Sequence, residues 1–402
     1  MIEIFKKYDK RLWILMSGMA ISAMGFGAIV PFLSIYFHST KGISMSAVGT
    51  FFLVASVARA FSQTIGGELS DHIGRKKILL WSQFSRAVIM VSTGYAVFLD
   101  MNYWVIAGII FLNYLLASSF FPVASAMIVD LLPEEDRTEG FAIMRTAINF
   151  GWAMGPAIGG FLSVFGFEYL FYFTALSSLV SGLLILFNIE ETNVFIKKSS
   201  KKLSYLFTNI KFSKYLIIFL ISTIFLYLTW GQFVSTLSVF MNDNIKLTHK
   251  NIGYIYTYNG LLVILFQIYI SRKVKKYNMF MIIIIGSLFF FLGYSLLGFA
   301  ESFMGIMIFV TIFTFGEMLV GPTGNTIISN MSPKGQYGRY QGLYGLFTTT
   351  GWSLGPFIGG ICIDLIPNVK ILWLFLSSFS LIASIGFYLL YRNRIEVENA
   401  KP

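Results

Sequence analysis

Charge is scarce in this chain: Asp, Glu, Lys and Arg make up 12% of its 402 residues, about half the quarter usual in soluble domains. Together with a mean hydropathy of +0.72, that shortage excludes a water-soluble globular protein. One cysteine, Cys362, permits no internal disulfide, and with only three histidines beside it metal or thiol catalysis has little material. His38 and His249 fall in connections and are given no role. A Walker phosphate loop, a metal-binding helix motif and a nucleophile elbow are all missing. The chain is therefore read as a non-enzyme that uses no cofactor and no metal. Low-complexity stretches and segments of soluble-domain composition are missing too.

What fills the chain is apolar sequence, 56% of residues. Segments long enough to cross a membrane core of about 30 Å recur from end to end, and none alternates as a strand does. They predict an all-α, multi-pass protein of the cell membrane with twelve transmembrane helices, over 12–37, 44–66, 78–99, 103–132, 140–165, 168–189, 215–241, 251–271, 279–299, 303–331, 341–365 and 370–391. Lys6, Lys7, Lys10 and Arg11 precede the first span as they would a signal peptide. That span is too long and lacks a small-residue cleavage site, so it is kept as a helix.

A net charge of +11 would suit nucleic acid or an acidic partner, but topology places the basic residues. With both termini inside, twenty-three of the thirty Lys and Arg lie in cytoplasmic segments, against Lys41, Lys246, Lys250 and Lys370 outside. This asymmetry predicts an N-in, C-in orientation and removes nucleic acid as a partner. The longest polar connection, 191–214, holds Lys197, Lys198, Lys201, Lys202, Lys211 and Lys214 and divides 1–190 from 215–402. Within it Leu203, Leu206, Phe207 and Ile210 recur at helical spacing, which suits either a short helix on the anionic inner leaflet or a flexible linker.

The two parts are copies of one unit. Gly151-Trp-Ala-Met-Gly-Pro-Ala-Ile-Gly-Gly160 returns as Gly351-Trp-Ser-Leu-Gly-Pro-Phe-Ile-Gly-Gly360, with seven of ten letters identical at an offset of 200. Pro122 and Pro133 answer to Pro322 and Pro333 in the same register. Duplicated halves of this hydropathy mark secondary transporters, whose substrate site lies between the repeats. Gly151, Gly155 and Gly159 are four apart, as are Gly351, Gly355 and Gly359, so each set makes a smooth stripe for a neighbouring backbone. Pro156 with Gly160, and Pro356 with Gly360, complete the two copies.

The stretch Gly67-Glu-Leu-Ser-Asp71-His-Ile-Gly74-Arg75-Lys76-Lys-Ile-Leu79 closely resembles the signature loop of the major facilitator superfamily. His72 replaces a usual arginine. Glycine permits the tight turn, and carboxylate with guanidinium makes a breakable ion pair. The resemblance implies two pseudo-symmetric six-helix bundles, and a gating network of Asp71, Arg75 and Lys76 with Asp130 at the cytoplasmic end of the fourth span. The second-half equivalent, Gln267 to Lys276, keeps basic residues but loses the pattern. The glycine phrase resembles the fifth-helix motif of the superfamily's twelve-span drug:proton antiporters, although Phe111-Leu-Asn113-Tyr114-Leu lacks their usual fourth-helix arginine. Phe-Gly-Glu317-Met-Leu-Val-Gly-Pro322 resembles multidrug exporters with a glutamate there.

Glu317 is the acid placed at the membrane midplane, about 20 Å from either end of its span at 1.5 Å per residue. Out of reach of the interface, it is a candidate proton carrier or a structural glutamate bonded to a neighbouring helix. Arg59, Arg86 and Arg145 lie nearer cytoplasmic helix ends, where they snorkel, pair with Asp130 or bind an anionic head group. Asn113, Tyr114, Arg145, Asn149, Trp152, Trp230, Gln232, Tyr258 and Asn325 are candidate cavity residues, each polar or amphipathic within an apolar span. The expectation is a monomeric transporter whose partners are a small-molecule substrate, protons and membrane lipid, working as a proton-coupled multidrug exporter. A carrier of a defined sugar, organic anion or peptide, or a non-transporting lipid-binding or sensory protein, stays open.

Overall fold

A computed structural model describes residues 8–192, 212–333 and 336–393, the side chain of Thr138 apart. These residues form helices joined by short turns, with no strand among them. In chain order the helices are α1 (Lys10–Ile35), α2 (Met45–Ile73), α3 (Arg75–Phe98), α4 (Tyr103–Ala117), α5 (Phe120–Leu131), α6 (Arg137–Leu162) and α7 (Glu168–Asn188). They continue as α8 (Lys214–Gly231), α9 (Thr236–Asp243), α10 (His249–Val274), α11 (Met279–Leu297), α12 (Phe303–Met331), α13 (Tyr337–Leu365) and α14 (Val369–Arg392). The expected connection at 191–214 lies largely outside the described residues, so its lysines up to Lys211 and the apolar set Leu203, Leu206, Phe207 and Ile210 have no structural account.

Short polar side chains set where the helices begin. Asn102 accepts a hydrogen bond from the Trp104 amide at 2.9 Å, Asn278 from the Phe280 amide at 2.9 Å and Asn368 from the Lys370 amide at 3.0 Å. Ser302 does the same for Gly305 at 3.2 Å. Each satisfies an amide that the helix itself leaves without an acceptor, which inside or beside a bilayer is costly.

Among the described residues, ten helical segments are long and apolar enough to cross a membrane. In three of them consecutive helices run together: Tyr103–Leu131, Lys214–Asp243 and Lys10–Thr40, where α1 continues into a short π-helix, Tyr36–Thr40. Of the twelve expected spans, the third and fifth coincide with α3 and α6, which are 24 and 26 residues long but more polar. Arg75, Lys76, Lys77 and Arg86 load α3, while Arg137, Glu139 and Arg145 load α6.

The chain packs as two compact units. One comprises Met1–Ile43, Phe51–Lys197 and Leu247–Gly260, and the other Ser44–Thr50, Lys198–Lys246 and Leu261–Pro402. In the first unit α1 lies against both α6 and α7. Thr174 on α7 donates to the Gly25 carbonyl at 2.7 Å and Ser181 to that of Gly18 at 2.9 Å. Lipid tails are as apolar as leucine, so such close packing and interhelical hydrogen bonds hold helices together where hydrophobic burial cannot. In the second unit Phe290, Tyr294 and Phe313 stack, the last two 4.8 Å apart. Gln267 of α10 donates to the Met318 carbonyl of α12 at 3.0 Å.

Two expected spans are broken. The span 103–132 is interrupted at Ser118-Ser119 between α4 and α5, since Pro122 has no amide for the Ser118 carbonyl and its ring crowds it. The span 215–241 is interrupted at 232–235, between α8 and α9. No proline marks that break. There Gln232 donates to the carbonyls of Leu228 at 3.1 Å and Gly355 at 2.9 Å, and accepts from the Thr236 hydroxyl at 2.6 Å.

Candidate functional site

The first unit holds a cavity of about 320 Å³, at the small end of the range for ligand pockets. Its polar lining is Arg59 on α2, Arg86 on α3, Asn113 on α4, Ser118 at the helix break and Ser125 on α5. Its apolar wall is built on Phe26, Tyr114, Phe121 and Trp152. Phe26 meets Trp152 edge-on at 5.8 Å and Tyr114 at 6.3 Å, the arrangement that aromatic quadrupoles favour. Thus three residues singled out in the sequence, Asn113, Tyr114 and Trp152, come together here.

Arg86 neither snorkels nor pairs with Asp130. Only 4% exposed, it donates to the Ala117 carbonyl at 2.7 Å and to the Ser22 hydroxyl at 2.9 Å. Ala117 is the last residue of α4, so the guanidinium sits at the negative end of a half-helix whose carbonyls lose their successors at the break. Its Nε and the Asn113 Oδ1 are buried without a hydrogen-bond partner among the described residues. Ser119 beside it is tied to Ser82 at 2.7 Å.

A second cluster surrounds the turn between α2 and α3. Gly74 has φ +109°, a conformation that side-chain-bearing residues rarely adopt, and it sets Arg75 as the first residue of α3. The Arg75 guanidinium meets Asp71 at 2.5 Å, Asp130 at 3.2 Å and the Ser70 hydroxyl at 2.6 Å. Lys76 turns elsewhere and donates to the Leu186 carbonyl at 2.8 Å. Glu191 joins the cluster without any signal in the sequence: it accepts from the amides of Arg75 at 2.7 Å and Lys76 at 3.1 Å, placing a carboxylate at the positive end of α3. Thr192 adds a hydrogen bond to Asp130 at 3.3 Å.

The glycine stripes are backbone contacts. A Cβ on Gly151, Gly155 or Gly159 would fall within 3 Å of backbone atoms of α1, at Ala20, Met24 and Ala28. In the repeat, Gly351 and Gly355 face α8 backbone at Ile224 and Gly231, while Gly359 faces the side chains of Gln232 and Thr236. Gly160 abuts the start of α10 at His249, and Gly360 the start of α2 at Met45.

The sequence profile of the Major Facilitator Superfamily matches residues 15–356 and again 219–402. The chain belongs to the Major Facilitator Superfamily. It is 30% identical over 393 residues to an uncharacterized MFS-type transporter, YttB, of Bacillus subtilis, covering 96% of each chain. It is 27% identical over 360 residues to the quinolone resistance protein NorA of Staphylococcus aureus, covering 89% of this chain and 90% of NorA. Among solved structures it resembles the nucleoside transporter NupG, with a TM-score of 0.76 at 15% identity over 96% of this chain and all of that one. It also resembles the POT family transporter PepTSo, with a TM-score of 0.76 at 16% identity over 97% and 99%. These are transporters, and this superfamily member is a multi-pass protein of the cell membrane rather than an enzyme.

The remaining sequence-selected residues of this superfamily chain lie apart from the cavity. Glu317 is half-buried at the fifteenth of the 29 positions of α12. Arg145 is exposed on α6 and Asn149 half-buried there, on a different side of the helix from the cavity-lining Met144 and Ile148. Trp230 packs among Tyr227, Phe290 and Trp352. Gln232 is wholly buried and fully engaged in joining α8 to α13, so the structure places it in helix packing instead of a cavity wall. Tyr258 is half-buried on α10. Asn325 is exposed, donating to the Gly321 carbonyl at 2.9 Å while its own carbonyl accepts from Gln341 at 3.0 Å.

Proposed function

We propose that this transporter is a proton-coupled exporter of small amphipathic molecules. It works by alternating access between two six-helix bundles, 1–190 and 215–402, with α3 and α6 completing twelve spans and both termini inside. The observation that carries the coupling is Glu317, the one charged residue of a 29-residue helix and fourteen residues from either of its ends. At that depth ionisation is costly, so the group exchanges a proton only when the surrounding helices change its access to water. Asp71, Arg75 and Asp130 supply an ion network at the cytoplasmic gate that forms in one state and breaks in the other. The likeness to a protein named for quinolone resistance favours export over uptake. One charge crossing 100 mV is worth about 2.3 kcal/mol, so one proton sustains roughly a 40-fold gradient of a neutral compound.

The test is transport into vesicles under an imposed pH gradient. Glu317→Gln keeps size and hydrogen bonding but cannot exchange a proton, so binding and downhill exchange survive while pH-driven accumulation is lost. Undiminished uphill transport by this variant removes Glu317 as the proton carrier.

A further inference from the structure

The cavity of the first unit has two guanidinium groups in its lining and no carboxylate. Arg86 is fixed in place by Ser22 and Ala117, while Arg59 has no hydrogen bond or ion pair with any described residue. Two like charges lining one pocket repel each other, and the lining holds no carboxylate to offset either of them. An anion is the group that supplies the missing countercharge. The Asn113 amide and the Tyr114 hydroxyl also stand at the cavity without hydrogen bonds to described residues, and Phe26 with Trp152 offers an apolar wall. We infer that this cavity selects amphiphiles carrying one anionic group, a carboxylate or a phosphate, which Arg59 grips directly in the field of the fixed Arg86. The aromatic or aliphatic body of the ligand lies on Phe26 and Trp152. The inference rests on the exporter reading only in taking this cavity as a ligand site, and its charge preference goes against a broad exporter of neutral or cationic compounds.

The experiment is equilibrium binding to the full-length protein in nanodiscs of zwitterionic lipid, read by calorimetry. The probes are three ligands of one skeleton: 2-naphthylacetate, 2-naphthylacetamide and 2-naphthylethylamine. Hydrogen bonds to a charged group of this kind give the carboxylate an advantage of about ten- to hundredfold over the amide. Arg59→Gln is expected to erase that advantage with amide affinity unchanged, and Arg59→Lys to restore part of it. Equal affinities for the three probes in the wild type, or an undiminished carboxylate preference in Arg59→Gln, overturns the inference. Unchanged amide binding reports that the variant is folded. Repeating the titration in phosphatidylglycerol discs separates the two sources of anion. Loss of naphthylacetate binding there assigns the site to a lipid phosphate, and unchanged binding assigns it to a soluble anion, both with the cation pair as receptor. Because the readout is binding, failure of proton-driven transport leaves it untouched, and the reverse holds as well.

Discussion

Adding one methyl group at Gly159 is expected to destabilise the protein, while adding the same group at Gly108 is expected to stabilise it. A Cβ at Gly159 would lie closer than 3 Å to the carbonyl oxygen and carbon of Ala28 and 3.0 Å from its Cα. All three are backbone atoms, so no side chain can swing aside and α6 must move off α1. Overfilling a packed contact in this way costs about 1–3 kcal/mol. Gly108 is also helical, on α4, but nothing stands within 4 Å of the point its new methyl would occupy. There alanine only removes glycine's entropy penalty, a gain of about 0.5–1 kcal/mol. The two Gly→Ala variants thus differ by about 1.5–4 kcal/mol, or roughly 3–15 °C at the 2–4 °C per kcal/mol typical of units of about 200 residues. Melting followed by intrinsic fluorescence in detergent measures the gap. Gly159→Ala melting at or above Gly108→Ala would refute the backbone contact and turn the stripe towards lipid.

Arg75→Gln removes two ion pairs whose partners Asp71 and Asp130 are 57% and 25% exposed. At about 1 kcal/mol per partly solvated pair, the balance between gate states shifts by up to roughly 30-fold. Turnover in vesicles should fall while ligand affinity holds; normal turnover would reduce the loop to a topological anchor. In a Cys362→Ser background, a cysteine at Lys246 should react with an impermeant maleimide from outside and one at Lys198 only from inside, following the charge asymmetry. Reaction at Lys246 from the cytoplasmic side alone breaks the twelve-span arrangement.

Helix positions are legible in the sequence because they follow from long apolar runs punctuated by Asn and Ser, which both end the runs and cap the helices. The ion network around Arg75 is legible as well, since Asp71, Gly74, Arg75 and Asp130 occur in a recognisable order. The breaks divide by cause. Pro122 accounts for the one at Ser118 once the structure shows it, but the letter alone does not announce it, since Pro31, Pro156, Pro322 and Pro356 lie inside unbroken helices. The break at 232–235 rests on Gln232 bonding to a carbonyl 123 residues away, and no local pattern carries that information. Gln232 reads as a ligand-facing amide for the same reason, since polarity in an apolar span marks a packing bond as readily as a binding site. Depth along its helix places Arg86 but says nothing of the direction it faces, and its partner is a carbonyl exposed by a break in another helix. Glu191 is one acid in a polar stretch, and only the closed turn at Gly74 reveals what it holds.

That carboxylate ties a distant stretch of chain to the charged turn. Glu191 and Thr192 are the last described residues before the connection to the second half of the sequence, and between them they hold the amides of Arg75 and Lys76 and the side chain of Asp130. Whatever tension the connection bears is therefore delivered to the turn itself. Severing the polypeptide after Thr192 leaves the turn with its cap, whereas severing it before Glu191 uncouples the cap of the Arg75 and Lys76 amides from α7 and leaves Asp130 held by Arg75.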